Sequence, residues 1–135
     1  MTKKKHIDTY SSIYPVDLVV ANETVTLKDL QKKYSYDNEE ELTEDIIEGL
    51  ATTSRCKDKN TGKYVILVKY NHNTTVKGDD KRLCFINTVS HEAVHVAMDI
   101  YSFIGEKVYP NDENELLAYL IGWITQCIYK TLTKK

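Results

Sequence analysis

Lys81-Arg-Leu-Cys-Phe-Ile-Asn-Thr-Val-Ser-His-Glu-Ala-Val-His-Val-Ala-Met-Asp-Ile-Tyr-Ser-Phe-Ile104 is the stretch at which the apolar period of the chain changes from two to 3.6. It predicts a helix over about 81–104, closed by Gly105, and a second long helix follows over about 112–132, opened after Pro110. Upstream the pattern is that of strands. Ile13-Tyr-Pro-Val-Asp-Leu-Val-Val20 is rich in β-branched residues, with Pro15 suited to a strand start or an edge. Segments 52–57 and 63–70 flank Asp58-Lys-Asn-Thr-Gly62 and read as a hairpin. Strands and small helices followed by two long helices indicate an α+β fold, with the two C-terminal helices packed on one face of a small antiparallel or mixed sheet.

Between these elements, Thr26 caps a short amphipathic helix that starts at Leu27, and 37–50 is compatible with a narrow-faced helix or a loop. The polar run 71–80 reads as a loop whose aspartates cap the next helix. Residues 1–11 carry no period and are expected to be a flexible tail ahead of a single domain over 12–135. A chain of 135 residues suits one domain and buries enough surface to fold without a disulfide or a structural metal.

Lys+Arg 18 against Asp+Glu 20 leaves a net charge of -2, which disfavours nucleic acid as an obligatory partner. The longest strongly apolar run, 116–124, is too short to cross a bilayer and is interrupted by Gly122, so no membrane association is expected. Cys56, Cys84 and Cys127 are odd in number and form no CxxC pair, as suits a reducing compartment. The N-terminus lacks the apolar core of a signal peptide, and a cytoplasmic location is expected.

The chemistry concentrates in His91-Glu92-Ala93-Val94-His95. At about 100° per residue, with His91 at zero, His95 falls near 40° and Glu92 near 100°, while Phe85, Val89, Val96 and Ile100 fall on the opposite, apolar side. Two imidazoles on one helix face suit Zn²⁺, and Glu92 beside them suits a general base acting on a zinc-activated water. A third ligand is expected from elsewhere. Glu115 lies on the polar stripe of the second long helix, where an antiparallel return would bring its first turn alongside the histidines. Alternatively Glu115 closes a capping box with Asp112, and Glu113 is a first-turn charge favoured by the helix dipole. Asp99, four residues after His95, is the rival: a ligand, or an acceptor fixing the His95 tautomer. Tyr119, one turn after Glu115, could donate its hydroxyl to a developing oxyanion or simply pack.

His91-Glu-Ala-Val-His95 followed by Asn114-Glu115-Leu-Leu-Ala118-Tyr119 resembles the zincin metallopeptidases, with a gluzincin-like spacing, and looks like small zincin-like proteins of bacteria and their phages. The resemblance implies a minimal zincin-like fold, zinc bound by His91, His95 and Glu115, and Glu92 as catalytic base. It further implies a peptide or protein substrate that pairs with the strand 63–70. The expected function is therefore a zinc metallopeptidase; the alternative is a zincin-fold regulatory or host-interaction protein that keeps the metal without efficient turnover.

Overall fold

The computed structural model describes residues 3–72 and 78–135. Five strands form one mixed sheet: β1 (Ile7–Ser11), β2 (Asp17–Ala21), β3 (Tyr34–Tyr36), β4 (Ala51–Asp58) and β5 (Tyr64–Tyr70), in the spatial order β1-β2-β5-β4-β3. The β2–β5 pair is parallel and the other three are antiparallel. Three helices complete an α+β fold: α1 (Leu27–Lys33), α2 (Asp79–Ile104) and α3 (Glu115–Leu132).

Alternation along β2 and β5 sorts the core into two halves. Leu18, Val20, Ile66, Val68 and Tyr70 point to the face covered by α2 and α3, where they meet Ala93, Val96, Ile100, Ile124 and Ile128. Val19, Ala21, Val65 and Leu67 point to the other face, which holds Leu30 of α1 and Ile46 of a single 3₁₀ turn, Glu44–Ile47. Both strands are buried on two faces, which is why each reads as a continuous apolar run. The C-terminal helices share one face as expected, and α1 covers the opposite one.

Local chemistry sets the element ends. The Thr26 hydroxyl accepts from the Asp29 amide at 3.1 Å while the Asp29 carboxylate accepts from the Thr26 amide at 2.9 Å, a reciprocal cap that starts α1. In the β4–β5 hairpin, Asp58 Oδ1 accepts from the amides of Asn60 and Thr61, and Gly62 takes the left-handed φ of 71° that the turn requires. Gly105, at φ 73°, ends α2.

Three sequence expectations change. Met1 and Thr2 lie outside the described residues, but Ile7–Ser11, expected within the flexible tail, is an edge strand. It is fastened by contacts remote in sequence: Asp8 accepts from Lys134 and from Thr131, each at 2.8 Å, and the Tyr10 hydroxyl pairs with that of Thr131 at 2.6 Å. The segment 37–50 forms an isolated bridge from Glu41 to Ser35 and the 3₁₀ turn rather than a longer helix, because its apolar residues are too sparse for a longer buried face. Residues 73–77 of the expected loop lie outside the described residues, and α2 begins already at Asp79 after Gly78, so the aspartates fall inside the helix rather than at its cap. No helix of the described residues is long and apolar enough to cross a membrane.

Candidate functional site

His91 and His95 lie on the solvent side of α2, one turn apart, with their Nε2 atoms 3.1 Å from each other and ring centroids 4.7 Å apart. At that separation one ring nitrogen can donate to the other, or both can face a common electrophile. Glu92, by contrast, is 5% exposed, and its Oε2 accepts from the hydroxyl of Thr53 on β4 at 3.0 Å. The Glu92 side of α2 therefore looks toward β4, with His91 at its margin. A cleft of about 260 Å³ opens there, lined by Leu50, Ala51, Asn87, Thr88, His91 and Glu92.

β3 pairs only with Cys56–Asp58, and the Asp37 amide reaches the Arg55 carbonyl, so no strand of the described residues pairs with the outer side of Ala51–Ser54. The Leu50 carbonyl accepts from the Asn71 amide and the Asp58 amide donates to the Lys63 carbonyl, so even-numbered positions address β5. By strand alternation Ala51 and Thr53 turn their backbone groups outward. The resemblance assigned that role to 63–70, but β5 is flanked on both sides, by β2 and β4. Nothing in the hairpin pattern itself distinguishes its inner strand from its outer one.

Asp99, one turn beyond His95, is engaged elsewhere. Its Oδ1 accepts from Arg55 Nε at 3.0 Å, and the pair stands at the mouth of a second cavity of about 290 Å³ whose walls include Tyr64 and Phe103. Asp99 is thus an ion-pair partner of the sheet rather than an acceptor for His95. Burial pushes the Cys56 thiol up to about 12 and that of Cys127 up to about 11, so both keep their protons at neutral pH.

Glu115 does not join the histidines. It is the exposed first residue of α3, preceded by Asn114, which is left-handed at φ 53° and ties itself to Tyr109 and Asp112 through its side-chain amide. The capping box with Asp112 does not form, since Asp112 Oδ1 accepts from the Glu113 amide and the helix starts three residues later than the spacing suggested. α3 lies over β1 and β2, on the flank of α2 away from β4, and packs with α2 through Ala93, Ala97 and Ile100 rather than along the histidines. Tyr119 is 75% exposed and lines a separate cavity with Ile13, Tyr14, Leu116 and Trp123. Among the described residues, no group of three or more His, Cys, Asp or Glu side chains stands where it could hold a metal ion.

The chain matches no protein family, no curated protein and no solved structure. The zincin resemblance is accordingly not sustained. It rested on a histidine pair joined by a glutamate from the following helix, and that three-residue ligand group is not assembled. What α2 presents is an exposed histidine pair beside a buried carboxylate that reaches β4.

Proposed function

We propose that His91 and His95 take up a zinc ion and that the protein hydrolyses peptide bonds with Glu92 as general base. The separation of the two Nε2 atoms carries this reading. Nitrogens each about 2.0–2.1 Å from one tetrahedral zinc stand roughly 3.3 Å apart, close to the 3.1 Å found here. Two protein nitrogens leave the remaining positions to solvent and substrate, and zinc held there would supply Lewis acidity, bringing the pKa of a water toward about 7.

The chain's own groups supply the rest. Glu92 follows His91 directly, and with Oε2 held by Thr53 its other oxygen is left to accept a proton and pass it to a leaving amine. The outward backbone groups of Ala51 and Thr53 suit an extended peptide added as a strand, and the cleft at His91 and Glu92 would take a side chain from it. The charge of -2 gives no support to a nucleic-acid partner, and three free cysteines favour the cytoplasm. A second reading, a metal-binding regulatory protein without efficient turnover, is favoured by the burial of Glu92 and by the lack of a third protein ligand among the described residues.

Zinc analysis combined with digestion of a peptide pool separates the two. The enzyme reading expects His91→Ala and His95→Ala to lose zinc, and Glu92→Gln to keep zinc and fold while kcat falls by about 10²–10⁴. Cleavage by Glu92→Gln at the wild-type rate, or zinc retained in full after loss of either histidine, overturns it.

A further inference from the structure

The outer sides of α2 and α3 carry almost no charge. In a chain that is 28% charged, residues 116–129 contain no Asp, Glu, Lys or Arg, and residues 83–98 contain only Glu92, which is buried against β4. Solvent nevertheless reaches these stretches: Leu83 is 63% exposed, Ile86 57%, Val94 46% and Tyr129 55%. At about 100° per residue Leu83, Ser90 and Val94 fall within about 40° of one another and form a ridge along α2. Beside it, between the two helices, lies a groove of about 340 Å³ lined by Phe85, Ile86, Val89, Gly122 and Tyr129. The groove is open at Gly122, where an added Cβ would meet no atom outside its own stretch of helix within 4 Å. Single apolar side chains on a surface are ordinary, but a contiguous apolar face without charge marks a contact.

From this surface we infer that α2 and α3 form the interface of a homodimer, in which the charge-free face of one chain covers that of a second copy. Three properties select a copy of the chain over other occupants. Each chain carries a net charge of -2, yet on this face two copies meet without opposing like charges, whereas a charged partner would find no counter-charge. An anionic lipid surface would likewise find no Lys or Arg there. Ridge and groove lie on the same patch, so a two-fold axis sets the Leu83 and Val94 ridge of each chain against the groove of the other, as an isologous contact requires. The area is sufficient: residues 83–98 span about 24 Å of helix and two packed helices are about 20 Å wide. That footprint of about 500 Å² is raised by the relief of the side chains toward the roughly 600 Å² per partner at which specific interfaces begin. By the same helical geometry His91 and His95 lie beyond Val94, at the margin of this face, and association requires neither.

Sedimentation velocity of the purified chain, from about 1 µM to about 500 µM, reads the association directly. Wild type should pass from the mass of one chain to twice that mass within this range. Ile86→Lys, on the groove wall, places like charges on both copies, and Gly122→Arg fills the groove from α3 with a residue that favours the helix. Each should raise the dissociation constant at least about 100-fold while keeping the circular dichroism of wild type, because both positions face solvent in the single chain. If one variant loses its fold, the other decides. Ile13→Lys, at a position 90% exposed between β1 and β2, should dimerise as wild type does. A wild type that stays a single chain throughout, whether or not it pellets with phosphatidylcholine vesicles, overturns the inference. So does a dimer that survives both groove substitutions, or one that Ile13→Lys disrupts equally.

Discussion

Arg55 and Asp99, forty-four positions apart, meet at 3.0 Å across the groove between β4 and α2. Their side chains are 53% and 21% exposed, so solvent screens the pair and its contribution to stability is at most about 1 kcal/mol. Arg55→Gln should therefore shift the urea midpoint only slightly and leave zinc uptake unchanged. The same holds for Asp99→Ala. A tenfold loss of zinc affinity in the aspartate variant would return Asp99 to the histidines.

Glu115 and Tyr119 face away from the groove, and their substitution should be silent there. Glu115→Ala is expected to leave zinc affinity within about threefold of wild type, below the 10–100-fold typical even of residues that merely orient a ligand. Tyr119→Phe should leave stability within about 0.5 kcal/mol, as for an ordinary surface change. Metal titration and urea unfolding check both, and a large loss of metal in Glu115→Ala would mean that α3 reaches the other flank of α2 in solution.

Lys69 makes stability depend on alkaline pH. It is enclosed on β5, donates to the carbonyls of Asn22 at 3.1 Å and Tyr70 at 2.7 Å, and burial pushes its ammonium down to about 8 although Glu23 opposes the shift. An unfolded chain holds that proton up to about 10.4. Between these values the unfolded state binds more protons than the native one, so the contribution of this group to stability rises with pH across the window and its full penalty is present below it. The raised Tyr34, Tyr70 and Cys56 act in the opposite sense as pH climbs through their unfolded values. Comparison with Lys69→Met cancels those. Relative to that variant, wild type should gain on the order of 2 kcal/mol between pH 7 and pH 10 in urea unfolding. A constant difference would show that Lys69 stays charged in the fold.

The hairpin and the long helices were legible because their determinants are local: Asp58 and Gly62 make the β4–β5 turn from their own backbone, and the periodicity around Ala93, Val96 and Ile100 is written within α2 itself. β1 was not legible because Asp8 and Tyr10 answer to Thr131 and Lys134 at the far end of the chain. β3 is three residues long and borrows its register from Cys56–Asp58, which no window around Tyr34 contains. For the site, helical spacing put His91 and His95 together, since an i, i+4 pair needs only α2. It could not say which flank of α2 the next helix would take. That choice, made by the sheet-facing side chains of α3, separates Glu115 from the histidines and leaves the β4 side of α2 to Thr53 and Arg55, which meet Glu92 and Asp99.

The clasp between Asp8, Tyr10, Thr131 and Lys134 also has a meaning in time. During synthesis β1 leaves the ribosome before the other strands, while the residues that fasten it are made more than a hundred codons later. Until then the apolar side chains awaiting α3 stand open to any other nascent chain nearby. At about 5–20 residues per second that interval lasts on the order of ten seconds, and it is the period in which the protein is most exposed to mispairing and to capture by chaperones.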